Sequence, residues 1–137
     1  GIGDNQIILY GESLGTGVAT QLATEFHVCA LISQSPFTSL PSLARYHYPW
    51  LPIPPKDKYN SLARVKNIHV PLLFLHGKHD YIVPYDQGRE LFNQANEPKQ
   101  WAEFTDRGHN DLWDSKFVEV VNHFINQTSC LPPTKLN

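Results

Sequence analysis

Three short apolar runs, Ile7–Tyr10, Val28–Ile32 and Leu72–Leu75, constrain this chain more than any other feature. Each is bounded by turn residues and lacks the apolar/polar alternation of a half-exposed strand, so each reads as a parallel strand covered on both faces. A weaker, alternating run at Gln100–Phe104 reads as the outermost strand. Helical periodicities follow the runs. Phe117, Val120, Val121, Phe124 and Ile125 share one helix face, with Asp114 or Ser115 as the cap. Leu14, Val18, Leu22 and Phe26 form a comparable stripe after the first strand. A third stripe, Tyr85, Gly88, Phe92 and Ala95, follows Pro84, a residue suited to a first helical turn. The order β-α-β, long insert, β-α-β-α predicts an α/β fold of about four mostly parallel strands with flanking helices.

The insert, 35–71, differs in kind. Pro36, Pro41, Pro49, Pro52, Pro54 and Pro55 break periodicity, and Tyr46, Tyr48, Trp50 and Tyr59 bring large apolar faces, so it reads as a cap-like wrap. A short helix from about Ser61 to Lys66 leads into the third strand. With 137 residues, 41% of them hydrophobic and 18% charged, the chain suits one globular domain, residues 1–137, ending in a flexible tail at 128–137.

Composition also excludes functions. A net charge of −2 and scattered Lys and Arg leave no basic face for phosphates, which excludes nucleic acid as a partner. No apolar run approaches the roughly 18 residues that span a bilayer. Gly1–Asn5 carry none of the basic and apolar regions of a secretory signal, an address upstream of them would be invisible here, and the compartment stays open with a cytoplasmic setting favoured. Cys29 and Cys130 show neither a disulfide framework nor metal-ligand spacing. Asn126-Gln127-Thr128 matches a glycosylation acceptor, which carries meaning only in a secreted chain.

Gly11-Glu12-Ser13-Leu14-Gly15 fits G-x-S-x-G between a strand and a helix. A sharp turn there lifts Ser13 Oγ above the sheet, and its two glycines remove side chains that would crowd the turn. The Leu14 N–H, at a helix N-terminus, lies where an oxyanion would form. Asp80 follows the third strand and His109 the fourth, on the same carboxyl rim as Ser13. Histidine exchanges protons near neutrality and can serve as base. The order Ser13, Asp80, His109 matches nucleophile, acid, histidine. Asp106, Asp111 and Asp114 crowd His109 as alternative orienting acids, and chain order favours Asp80. Glu12 beside a nucleophile would oppose the oxyanion, so it is expected to point away. His76 and His79 with Asp80 supply too few ligands for a metal. Tyr48, Trp50 and Trp113 are expected to pack rather than to line an acyl pocket.

From Ile7 through about Gln127 the chain resembles the C-terminal half of the α/β-hydrolase family, its strands five to eight. The Gly-Glu-Ser-Leu-Gly, His-Gly-Lys-His-Asp-Tyr-Ile-Val-Pro and Gly-His-Asn-Asp segments are most similar to the serine esterase and thioesterase branch that includes bem46-like proteins and protein depalmitoylases. Peptidases of the prolyl oligopeptidase type share similar elements. The resemblance implies a serine hydrolase acting on a small-molecule or acyl substrate, with Ser13, Asp80 and His109 catalytic, Leu14 as oxyanion donor, and neither cofactor nor metal. The family's earlier strands and its second oxyanion loop have no counterpart here. The chain is therefore expected to be a fragment that needs an N-terminal segment or oligomerisation to complete its sheet, and to be a weak catalyst alone. A catalytically silent remnant acting through its bare edge is the rival reading.

Overall fold

The computed structural model describes residues 6–52, 59–128 and 130. Strands β1 (Ile8–Glu12), β2 (Ala30–Gln34), β3 (Leu72–Gly77) and β4 (Lys99–Phe104) lie side by side in chain order, all parallel. They are joined by α1 (Leu14–Glu25), α2 (Leu40–His47), α3 (Ser61–Arg64) with a 3₁₀ turn over Val65–Asn67, and α4 (Tyr85–Gln94); α5 (Ser115–Gln127) follows β4.

Every residue of β2 and β3 is buried, which is why these runs carry no alternation. The pleat sends successive side chains to opposite faces. Ile32, Leu73, Leu75, Ala102 and Phe104 meet Phe117 and Phe124 of α5. Leu31, Leu72 and Phe74 meet Ala19 of α1, Val65, Ile68 and Leu91 of α4. Asp114 caps α5, its carboxylate accepting from Phe117 N at 3.0 Å.

Three expectations are corrected. The α1 stripe does not face the sheet: Leu14, Val18 and Phe26 are 59%, 43% and 62% exposed, and the buried face is Thr16, Gly17, Ala19 and Thr20. Small residues win because the helix lies close. A Cβ on Gly17 would come within 2.8 Å of the Tyr59 Cβ and 3.1 Å of the Phe37 ring. Next, the Pro-rich insert contains α2, with Pro41 in its first turn and Ser39 capping through Ser42 N at 3.2 Å. Its start is core, with Phe37 fully buried, whereas Tyr48 and Trp50 stand exposed rather than packed. Pro54 and Pro55 lie outside the described residues, as does nearly all of the expected tail. Finally, Cys29 and Cys130 form a disulfide across 101 residues, with Cα atoms 5.4 Å apart. It ties the chain after α5 to the entry of β2. Among the described residues no helix is long and apolar enough to cross a membrane.

Candidate active site

The carboxyl ends of parallel strands form one rim, and the turns leaving β1, β3 and β4 carry Ser13, Asp80 and His109 onto it. Ser13 joins β1 directly to α1 with φ 55° and ψ −118°, a left-handed conformation that a residue with a Cβ adopts only when its surroundings impose it. They do. Ser13 N donates to Gln34 O at 2.9 Å, and Thr16 N and Oγ1 both donate to Ser13 O, at 3.0 and 2.6 Å. A Cβ on Gly11 would lie 2.6 Å from Gly15 O and 2.8 Å from the Thr16 Cα, so only glycine fits there. Gly15 differs from expectation, since a Cβ on it meets nothing within 4 Å. Ser13 Oγ does not cap α1, and Leu14 supplies one of the first-turn N–H groups that have no acceptor within a helix.

Asp80 and His109 are brought together. His109 Nδ1 lies 2.8 Å from Asp80 Oδ2, leaving Nε2 for another partner. The other carboxylate oxygen, Oδ1, accepts from Ile82 N at 2.9 Å and Val83 N at 2.8 Å. Burial pushes the Asp80 carboxyl up, but hydrogen bonds from His76, His109 and Val83 N–H, with the charge of His109, outweigh it and hold the pKa below the usual carboxylate value. No hydrogen bond joins Ser13 to His109 among the described residues.

Two residues without an assigned role in the sequence build this pair. His76 is fully buried, its Nε2 2.9 Å from Val83 O and 3.5 Å from Asp80 Oδ2, and a Cβ on Gly88 would overlap its ring. It clamps the loop that presents Asp80. Gly77 ends β3 where a Cβ would overlap the carbonyls of Arg107 and Gly108, so the His109 loop can lie against the strand, with His79 N donating to Arg107 O at 3.0 Å. The signal for both was present: a histidine inside an apolar strand and a glycine at its end.

Of the three competing acids, Asp106 is exposed and the other two brace that loop. Asp111 Oδ1 accepts from Gly108 N at 2.6 Å, and Asp114 pairs with Arg107 while capping α5. Glu12 is exposed; burial, then Glu12, raises the pKa of Tyr10, whose hydroxyl donates to Gln34 Oε1. Trp113 is half exposed and packs on Phe117, ring centroids 4.6 Å apart. His79 is exposed. A cleft of about 640 Å³ beside β4, lined by Trp101, Glu103, Lys116 and His123 among others, holds none of the rim residues.

A sequence model of the prolyl oligopeptidase family matches residues 2–127. The chain belongs to that family, within the α/β-hydrolases. It is 38% identical over 131 residues to an uncharacterized protein of Mycobacterium tuberculosis, covering 92% of this chain and 47% of that protein. It is 34% identical over 122 residues to lysophosphatidylserine lipase ABHD12 of Rattus norvegicus, covering 74% and 31%. The esterase domain of a Rhodothermus marinus protein shares the fold with a TM-score of 0.72 at 22% identity, over 88% of this chain and 60% of that one. The chain spans less than half the length of these two curated relatives.

Proposed function

We propose that this chain carries the catalytic residues of a serine hydrolase that cleaves an ester or thioester through an acyl-enzyme. The supporting observation is the 2.8 Å contact of His109 Nδ1 with a buried, multiply hydrogen-bonded Asp80, on the rim that also holds a serine in a strained strand-to-helix turn. In this reading Ser13 Oγ attacks the carbonyl carbon, and His109 Nε2 takes its proton and returns it to the leaving group. Asp80 holds the imidazole tautomer and stabilises the imidazolium. The Leu14 N–H binds the developing oxyanion, with a second donor contributed from outside these 137 residues. The lysophosphatidylserine lipase among the relatives favours an acyl ester over a peptide.

The exposed Leu14, Val18 and Phe26 flank β1, which among the described residues pairs only with β2. In the proposed enzyme the remainder of a longer protein, or a second copy, covers that face and extends the sheet. The test is a fluorophosphonate probe on the full-length protein, followed by p-nitrophenyl ester turnover. Labelling at Ser13, with turnover lost in Ser13→Ala, is expected; a Ser13→Ala protein that keeps its esterase activity overturns the proposal.

A further inference from the structure

The base of the sheet, opposite the catalytic rim, carries two features that the hydrolase reading leaves unused. One is the Cys29–Cys130 bond. Its Cα separation of 5.4 Å lies in the range disulfides adopt, and Cys130 is buried. Making it requires two thiols to give up two protons and two electrons to a disulfide-bearing oxidant, itself reduced to a dithiol. Such bonds form and persist in oxidising compartments and are rare in the cytosol. The other is Asn126-Gln127-Thr128, the single N-x-Ser/Thr triplet in the chain. Asn126 is exposed on the last turn of α5, four residues before Cys130.

From the pair we infer that Asn126 is an N-glycosylation site and that this domain matures in an oxidising secretory compartment. The disulfide supplies the condition without which the triplet is only a pattern. It also replaces the cytoplasmic setting favoured in the sequence analysis. In the transfer, Asn126 Nδ2 bonds to the anomeric carbon of a lipid-pyrophosphate-linked oligosaccharide. The bond from that carbon to the pyrophosphate oxygen breaks, the amide loses one proton, and the lipid pyrophosphate departs.

Position makes the modification compatible with hydrolysis. Helix α5 begins after the carboxyl end of β4, on the rim side, and its 13 residues run about 20 Å towards the base, where Cys130 meets Cys29 at the entry of β2. A glycan on Asn126 therefore projects from the end opposite Ser13, Asp80 and His109 and leaves the rim open.

The experiment uses the full-length protein with its natural N-terminus, expressed in a eukaryotic cell and isolated with thiols blocked. Peptides are mapped without reduction, before and after peptide N-glycosidase. Expected are a Cys29–Cys130 cross-linked peptide and an Asn126 peptide that appears only after the glycosidase, bearing its deamidation mark. Asn126→Gln and Thr128→Ala lose the glycan, and Thr128→Ser keeps it. An unmodified Asn126 peptide from protein whose Cys29–Cys130 bond is closed overturns the proposal, as do blocked free thiols at both cysteines.

Discussion

The two halves of the rim are built differently. At β3 the sheet is covered on both faces, Ala102 and Phe104 of β4 are buried beside it, and Asp80 and His109 are joined and braced by His76, Gly77 and the Arg107–Asp114 pair. At β1, like β4 an edge of the sheet among the described residues, the adjoining helix shows its apolar stripe to solvent, and contacts to β2 and α1 hold Ser13 in its strained backbone conformation. In the proposed mechanism the acid–base half lies within these residues, and the nucleophile half has its turn geometry without a cover among the described residues. Orienting an imidazole demands the buried carboxylate and loop contacts that adjacent strands supply, whereas the proposed shielding of Ser13 and oxyanion binding would draw on further cover.

The sharpest way to break that contrast is His109→Ala in the full-length protein, which is expected to lower kcat on a p-nitrophenyl ester by about 10⁶-fold. A change below tenfold would show that the Asp80–His109 pair is structural. Opening the Cys29–Cys130 bond comes next. A closed loop of roughly 100 residues constrains the unfolded chain by about 4–5 kcal/mol, so Cys130→Ser is expected to shift the urea midpoint of the non-reduced protein sharply downward. Leu75→Ala, at a fully buried β3 position, is expected to cost about 2–5 kcal/mol. By contrast, Val18→Ala is expected to stay within about 0.5 kcal/mol in the isolated 137 residues and to cost more in the full-length protein if its face is covered there. Equal losses in both contexts would remove the distinction between the two halves.

The smallest effect is set by pH. Asp80 titrates below its unfolded value, so its stabilising contribution is complete above the unfolded pKa of about 3.9 and fades as pH falls towards the folded one. Urea titrations should find Asp80→Asn less stable than the unaltered protein at pH 7, with the gap closing in acid. A gap independent of pH would place the effect in packing rather than charge.

Much of this was legible in the residues. Strands buried on both faces leave unbroken apolar runs, and Gly11 and Ser13 mark a turn that few other residues permit. The buried face of α1 was not legible, because Thr16, Gly17, Ala19 and Thr20 are selected for closeness rather than hydrophobicity and carry no apolar signal. Helix α2 was hidden by prolines that break helices in their interiors but are tolerated in a first turn. The disulfide was hidden by distance, since cysteines 101 residues apart have no local spacing to read.

That same cross-link also sets how the molecule bears force. Tension on the chain beyond Cys130 bypasses α5, β4 and everything else between the two sulfurs, and passes directly to Cys29 at the head of β2. Strand β2 itself lies between the two sulfurs, so it and the loops bearing Asp80 and His109 sit in a mechanically silent ring, and the line of tension runs on from Cys29 towards α1.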